Sequence, residues 1–396
     1  MTSAPQAAPS AAAPAASTSA AAAPSAAKTL KIGVVAWFGW PIGLDMVHVI
    51  KAVAAMDNAN GGWNIGGEKY QVQIVEYDDN NDQTSANSAV NRLIFEDKVN
   101  YILFDSGLAD ASLPTTEANK VIALLATPTP PCLMPANHYS FETAFVNSQY
   151  AALAGFMAKA FPNFKTLVTA LPDNQMGHGS GDPIVAACKA VGITATAMYF
   201  PANSTDLSSL GTKVKTLNPD MFDAQFVGGL PYQAAYNAGY RGQMVGLNPQ
   251  PYSICLATAS AEAMNGLVNA GWPTEFDPPL TDLGKQVKEA YVSMYGKWDT
   301  PEIICTAEYF CLKAALAKAG TPDTTKVAEV IGSGLQFEAL NGSGQMVARP
   351  DLGNNRTVDS VVAYYIKKVE NDQITKFGSM TLDEVSGYFS KAITPQ

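Results

Sequence analysis

The chain reads as an α/β protein of two similar, doubly wound lobes. Three observations lead there. From Lys31 onward, apolar runs of strand length alternate with segments of helical periodicity. Each strand ends in a loop bearing Gly, Pro or Asn, and the whole unit repeats before and after about residue 145. At 396 residues the chain also exceeds one typical core, taken as roughly 150 residues per domain.

The elements follow in order. Residues 31–37 form an apolar strand, and Phe38-Gly-Trp-Pro41 is a turn at its carboxyl end. Ile42, Met46, Val49, Ile50 and Val53 then recur at helical spacing until Gly61 and Gly62 stop the helix. A strand over 71–77 ends in the acidic turn 78–82. Helix 85–98, strand 101–104, helix 109–119 and strand 121–125 complete the first half. The second half alternates helices at 149–160, 183–191, 207–217 and 233–239 with strands at 166–170, 194–200, 223–227 and 243–246. Near the end, 361–369, the turn 370–372 and 373–377 read as a β-hairpin. Such a βαβ order predicts parallel sheets whose carboxyl ends receive a small ligand.

Composition narrows the function. Hydrophobic residues make up 47% and charged ones 15%, the balance of a well-buried α/β protein. Lys and Arg number 25 against 35 Asp and Glu, and no basic run exceeds Lys367-Lys368. Phosphate backbones need clustered cations, so nucleic acid is not an expected partner. No apolar run approaches the ~20 residues of a membrane-spanning helix.

Residues 1–27 differ from the rest. Twenty-five of them are Ala, Pro, Ser or Thr and none is charged, too little apolar surface to offset ordering. They lack the basic and long apolar regions of a signal peptide. We expect residues 1–30 to be a disordered tether whose signal, with a lipid-bearing Cys, has been removed. The protein would then act in the periplasm or outside the cell, lipid-anchored at the membrane surface.

Catalytic and cofactor motifs are missing. Gly177-His-Gly-Ser-Gly181 reads as a glycine-rich loop before a helix, but it fits neither GxGxxG nor the P-loop. There is no GxSxG elbow, and Ser180 has no evident base nearby in sequence. Asp78, Asp79 and Asp82 lack the pattern of a calcium loop and read as a solvated turn and helix cap. His48, His138 and His178 are scattered, and Cys132, Cys188, Cys255, Cys305 and Cys311 contain no CxxC pair, so neither a metal nor another cofactor is expected. The odd cysteine count leaves at least one outside any intramolecular disulfide, and spacing does not choose a pair.

Aromatic residues at strand ends are more telling. Trp37, Phe38 and Trp40 cluster after the first strand, and Tyr232 and Tyr252 occupy corresponding loops of the second half. Large rings on a cleft wall supply apolar contact and stacking.

Five segments, taken in this order, carry a family resemblance: Lys31-Ile-Gly-Val-Val, Asp57-Asn-Ala-Asn-Gly-Gly62, Val75-Glu-Tyr-Asp-Asp79, Ala123-Leu-Leu-Ala-Thr-Pro128 and Asn218-Pro-Asp-Met-Phe-Asp-Ala-Gln-Phe-Val-Gly-Gly229. Over residues 31 to about 380 the chain resembles the leucine/isoleucine/valine-binding family of periplasmic solute-binding proteins. That resemblance implies a type I fold, a ligand held between two lobes, and delivery to the permease subunits of an ABC importer by a monomer. It sets the crossings near Ala144, Trp272 and Gly344. Lobe one is then 31–144 plus 273–344, and lobe two is 145–272 plus 345–396.

Carried over residue by residue, the family pocket is altered here. Its amino-acid binders hold the α-ammonium with a carboxylate after the strand matching 243–246, where this chain has Gly246-Leu-Asn-Pro-Gln250. They hold the α-carboxylate with hydroxyls in loops matching 105–108 and 127–131, where Ser106, Gly107, Thr127 and Thr129 offer donors beside Leu108 and Pro131. At the cleft tyrosines of lobe two stand Met176 and Leu230. An ammonium buried without a countercharge costs several kcal/mol, so a zwitterionic amino acid is disfavoured. The expected ligand is apolar or aromatic, neutral or weakly acidic, walled by Trp37, Phe38, Trp40, Met176, Leu230, Tyr232 and Tyr252. Gln175, His178, Asn248 and Gln250 join the hydroxyls as polar partners. The rival expectations are an amino-acid binder with a rearranged pocket and a ligand sensor for a signalling receptor. No enzymatic activity is expected.

Overall fold

A computed structural model of the chain describes residues 1–3, 27–104, 108–126, 130–143, 146–224, 228–247, 252–271, 281–298, 306–340 and 342–394. The first sheet contains β1 (Lys28–Ala36), β2 (Trp63–Ile65), β3 (Glu68–Asp78), β4 (Tyr101–Phe104), β5 (Ile122–Leu125) and β6 (Ser140–Glu142). Their order is β2-β3-β1-β4-β5-β6, parallel except for the β2–β3 hairpin. Leu30, Ile32 and Val34 of β1 join one core cluster while Val35 joins another, as a strand covered on both faces requires. The helix Pro41–Ala59 buries Met46, Val49, Ile50 and Val53 completely, at the spacing of one helical face. The helix Gln83–Phe95 starts at Asp82, whose side chain accepts from the Ser85 N–H.

The second sheet begins with the parallel strands β7 (Thr166–Pro172), β8 (Thr194–Phe200), β9 (Met221–Ala224), β10 (Gln243–Gly246) and β11 (Val268–Gly271). A third, antiparallel sheet then follows, β12 (Gln336–Ala339), β13 (Gly342–Arg349) and β14 (Asn354–Val362). Strands β15 (Tyr364–Glu370) and β16 (Gln373–Met380) return to the second sheet, β15 antiparallel to β11 and β16 antiparallel to β15. Its final order is β16-β15-β11-β10-β9-β7-β8.

Three expectations change. Gly344 lies inside β13, paired with Phe337 and Val362, and the chain enters the second sheet only at Ala363, between β14 and β15. Ala144 and Trp272 lie outside the described residues. The hairpin expected from residue 361 is divided, because Val362 still belongs to β14; its turn at Asn371 and Asp372 takes φ of 51° and 61°, as a tight hairpin requires. Residues 177–181 are helical, within Gln175–Lys189, which runs through Pro183. A proline inside a helix costs about 3 kcal/mol. The Asn174 cap at Gly177 and the buried Ile184, Ala187 and Cys188 offset that cost. Gly177 is required there, since a Cβ would lie 1.9 Å from the Pro172 carbonyl oxygen.

Each of the four described cysteines, Cys132, Cys188, Cys255 and Cys311, is a buried thiol, and no disulfide joins them. Burial pushes Cys188 and Cys255 up to about 12, so neither is a nucleophile near neutrality. No helix among the described residues is long and apolar enough to cross a membrane.

Candidate functional site

Parallel strands deliver their carboxyl ends together, and the loops leaving β1, β4, β5, β7, β9 and β10 carry the residues marked by the sequence. Ser106, Gly107, Thr127, Thr129, Asn248 and Gln250 lie outside the described residues. Gln175 and Met176 open the helix Gln175–Lys189, and their side chains are likewise outside what is described.

The turn after β1 is described in full. The Trp37 and Trp40 rings stack with centroids 6.5 Å apart and an interplanar angle of 24°. Both are half-buried, while Phe38 packs against the main core. Asp78 ends β3 directly beside Ala36, and its Oδ1 accepts from the Phe38 N–H at 3.1 Å. The Trp40 N–H donates to the Trp37 carbonyl at 3.2 Å. Asp78 is a residue that sequence reasoning left as a solvated turn; only its register opposite Ala36 reveals the contact.

The turn after β7 is differently built. His178 Nε2 stands 2.7 Å from Asp173 Oδ1, and the imidazole stacks on Tyr199 with centroids 4.1 Å apart. Tyr199 belongs to β8, an edge strand, and the His178 and Asp173 side chains are 54% and 63% exposed. The described contacts of His178 are therefore with neighbours at the lobe's edge. Leu230 opens the helix Leu230–Asn237, packs on the second-lobe core, and lines a groove of about 470 Å³ with Leu207, Thr212 and Gln233.

Two tyrosines leave the candidate wall. Tyr232 is fully enclosed, its hydroxyl accepting from the Ala224 N–H at 3.1 Å and lying 2.7 Å from the Val245 carbonyl oxygen. Tyr252 is buried and donates to Asp372 Oδ1 at 2.7 Å, in the β15–β16 turn. Short helices after the strand ends turn both rings into the lobe, a direction that loop position alone does not reveal. Burial, joined by Asp372 at Tyr252, raises both phenols above their ordinary value.

Acids near the strand ends are engaged by neighbouring groups. Asp223, fully buried in β9, accepts from the Thr169 hydroxyl at 2.5 Å and the Leu247 N–H at 2.8 Å. Asp79 accepts from the Asn81 N–H, and Asp173 holds His178. No three His, Cys, Asp or Glu among the described residues are arranged to hold a metal.

Two largely parallel α/β sheets, with stacked indoles at the carboxyl end of β1, agree with the sequence comparison. Residues 29–372 match the family described as periplasmic binding protein. The chain belongs to that family.

Solved structures share the fold of this periplasmic binding protein at low identity. The leucine-binding protein LivK of Thermotoga maritima is 20% identical, with a TM-score of 0.69 over 89% of this chain and 99% of that one. A solute-binding protein of an ABC transporter from Rhodopseudomonas palustris, in complex with 3,4-dihydroxybenzoic acid, is 19% identical, with a TM-score of 0.68 over 89% and 98%. The branched-chain amino acid transporter protein LivJ of Streptococcus pneumoniae, in complex with isoleucine, is 19% identical, with a TM-score of 0.70 over 89% and 99%. Among curated proteins none matches this chain in sequence. The type I fold expected from the sequence is present, and the family is one of solute-binding proteins.

Proposed function

We propose that this periplasmic binding protein captures a small apolar or aromatic compound, neutral or weakly acidic, and delivers it to the permease subunits of an ABC importer. The carrying observation is the half-exposed Trp37–Trp40 pair, pinned at the carboxyl end of β1. Engaged acids support the same ligand class, because an α-ammonium needs a dedicated carboxylate to offset its desolvation. So does the dihydroxybenzoic acid complex of a protein with this fold. Ser106, Thr127, Asn248 and Gln250 are the proposed polar partners. Lobe one comprises 31–144 and 273–362, and lobe two 145–272 and 363–396, with ligand shifting the pair toward closure. The Ala/Pro/Ser segment serves as a tether to the membrane surface.

One rival has its own support: LivJ, of the same fold, is in complex with isoleucine, which favours an amino-acid binder with a rearranged pocket. A thermal-shift screen of aromatic acids, phenols, amides and amino acids separates the two, since a ligand raises the melting temperature by linkage. Stabilisation by aromatic compounds and not by leucine is expected. Micromolar leucine binding by calorimetry overturns the proposal.

A further inference from the structure

We propose that Asp78 is the positioning residue that holds Trp37 and Trp40 as a rigid aromatic wall; its functional consequence rests on this turn lining the solute cleft, as proposed above. Trp40 occupies the N-cap of the helix Pro41–Ala59, in extended conformation, yet makes no side-chain capping bond. A Ser, Thr, Asp or Asn there would add about 1 kcal/mol, so local helix stability does not account for the indole. Both indoles are half-buried, and at 6.5 Å between centroids they form a platform of two large rings.

The backbone beneath that platform is fastened at one carboxylate. Asp78 Oδ1 accepts from Phe38 N, the residue between the indoles' strand end and the turn, and from Asn80 N at 2.8 Å. One oxygen thereby ties the end of β1 to the end of β3. The neighbouring Asp79 N–H closes the strand ladder on the Ala36 carbonyl at 3.1 Å. From the other side, Gly43 lets the helix approach so closely that a Cβ would lie 2.4 Å from the Trp37 carbonyl oxygen. At Gly39 a Cβ would lie 2.6 Å from Trp37 Nε1, so the space over the indole is kept by the absence of a side chain. Without the Asp78 acceptor, the Phe38 N–H loses its partner and the turn gains alternatives that ligand binding must then order.

The test compares Asp78→Ala with Asp78→Asn in the full chain. Two indoles this close couple their transitions, giving a bisignate circular dichroism feature that Trp37→Phe removes and so identifies. Asp78→Ala is expected to abolish that feature in ligand-free protein, while Asp78→Asn, which keeps an acceptor oxygen, retains it. Affinity for 4-hydroxybenzoate or benzamide, whichever stabilises the wild type, should fall about tenfold in Asp78→Ala and little in Asp78→Asn. An Asp78→Ala protein that keeps the feature overturns the proposal, as does one that loses it at unchanged affinity. If Asp78→Ala does not fold, loss of the feature in a folded Asp78→Asn also overturns it. A wild type that carries the feature and binds neither probe counts instead against the aromatic-ligand function.

Discussion

The side-chain amide of Asn147 donates to the fully buried carboxylate of Asp359 at 3.0 Å, joining the segment that leaves the first sheet to the one that enters the second. Arg349 meets the same carboxylate oxygen at 2.7 Å and grips Asp351 through two further bonds. Beside them the Ser360 hydroxyl reaches Glu142, and the Ser148 and Tyr364 hydroxyls stand 3.3 Å apart. A buried, charge-assisted connection of this kind holds the two segments together. Asp359→Asn should cost about 3 kcal/mol, the low end for breaking a buried ion pair because Asp351 still holds the guanidinium. Asn147→Ala should cost about 1 kcal/mol. Urea denaturation measures both, and near-zero costs would show that the two segments are held by packing alone.

A second buried carboxylate pins three elements, the helix Pro41–Ala59, β2 and the helix Thr306–Ala319. Asp57 Oδ2 accepts from Trp63 Nε1 at 2.6 Å and from the Tyr309 hydroxyl at 2.9 Å, while Oδ1 accepts from Lys313 Nζ at 2.7 Å. Asp57→Ala leaves two buried donors without an acceptor and should destabilise by about 3 kcal/mol. Tyr309→Phe removes one donor and keeps the ring against Trp63, so about 1 kcal/mol is expected. Equal losses in the two variants would mean that the ring packing, rather than the carboxylate, carries the stability.

The sheets were legible because apolar periodicity is local: β10 falls where the sequence set it, and Met46, Val49 and Ile50 face the core as their spacing requires. Long-range pins were not legible. Asp57 and Lys313 meet across 256 positions, and Asn147 and Asp359 across 212, with no motif announcing either. Position after a strand places Trp37 and Trp40 half-exposed in a turn whose backbone is held by neighbours in sequence or in register. The same rule failed for Tyr232, because a helix begins at Leu230 and rotates the ring inward. Residues 177–181 misled for a related reason, since glycines suggest a loop while the Asn174 cap and the buried face beyond Pro183 sustain a helix.

A pH dependence follows from His48. Its ring stacks on Tyr295 with centroids 4.1 Å apart, and burial, then Lys51, lowers its proton affinity against the opposing pull of Asp45 and Glu76. The unfolded chain therefore binds this proton more readily than the folded one. The sign is then fixed: this contribution to stability is intact above about 6.5, the unfolded value, and is lost as pH falls from there through the lower folded value. Denaturation midpoints should decline from about pH 7 to about pH 5 more steeply in wild type than in His48→Phe, which keeps a ring on Tyr295. Parallel slopes would remove His48 from the acid response.

Tyr232→Phe and Tyr252→Phe test whether these tyrosines have left the ligand wall. In Tyr232→Phe the Ala224 N–H loses its acceptor inside a closed core, a loss of about 1–3 kcal/mol. Tyr252→Phe gives up one bond to Asp372 near the surface and should cost about 1 kcal/mol or less. Neither hydroxyl is aimed at a cleft, so affinity for whichever compound stabilises the wild type should change less than about twofold in both, once the protein is folded. Trp37→Ala, by contrast, should lose at least about tenfold through lost stacking area. Calorimetry on the three variants decides the matter: a Tyr232→Phe protein as impaired as Trp37→Ala would return Tyr232 to the ligand wall.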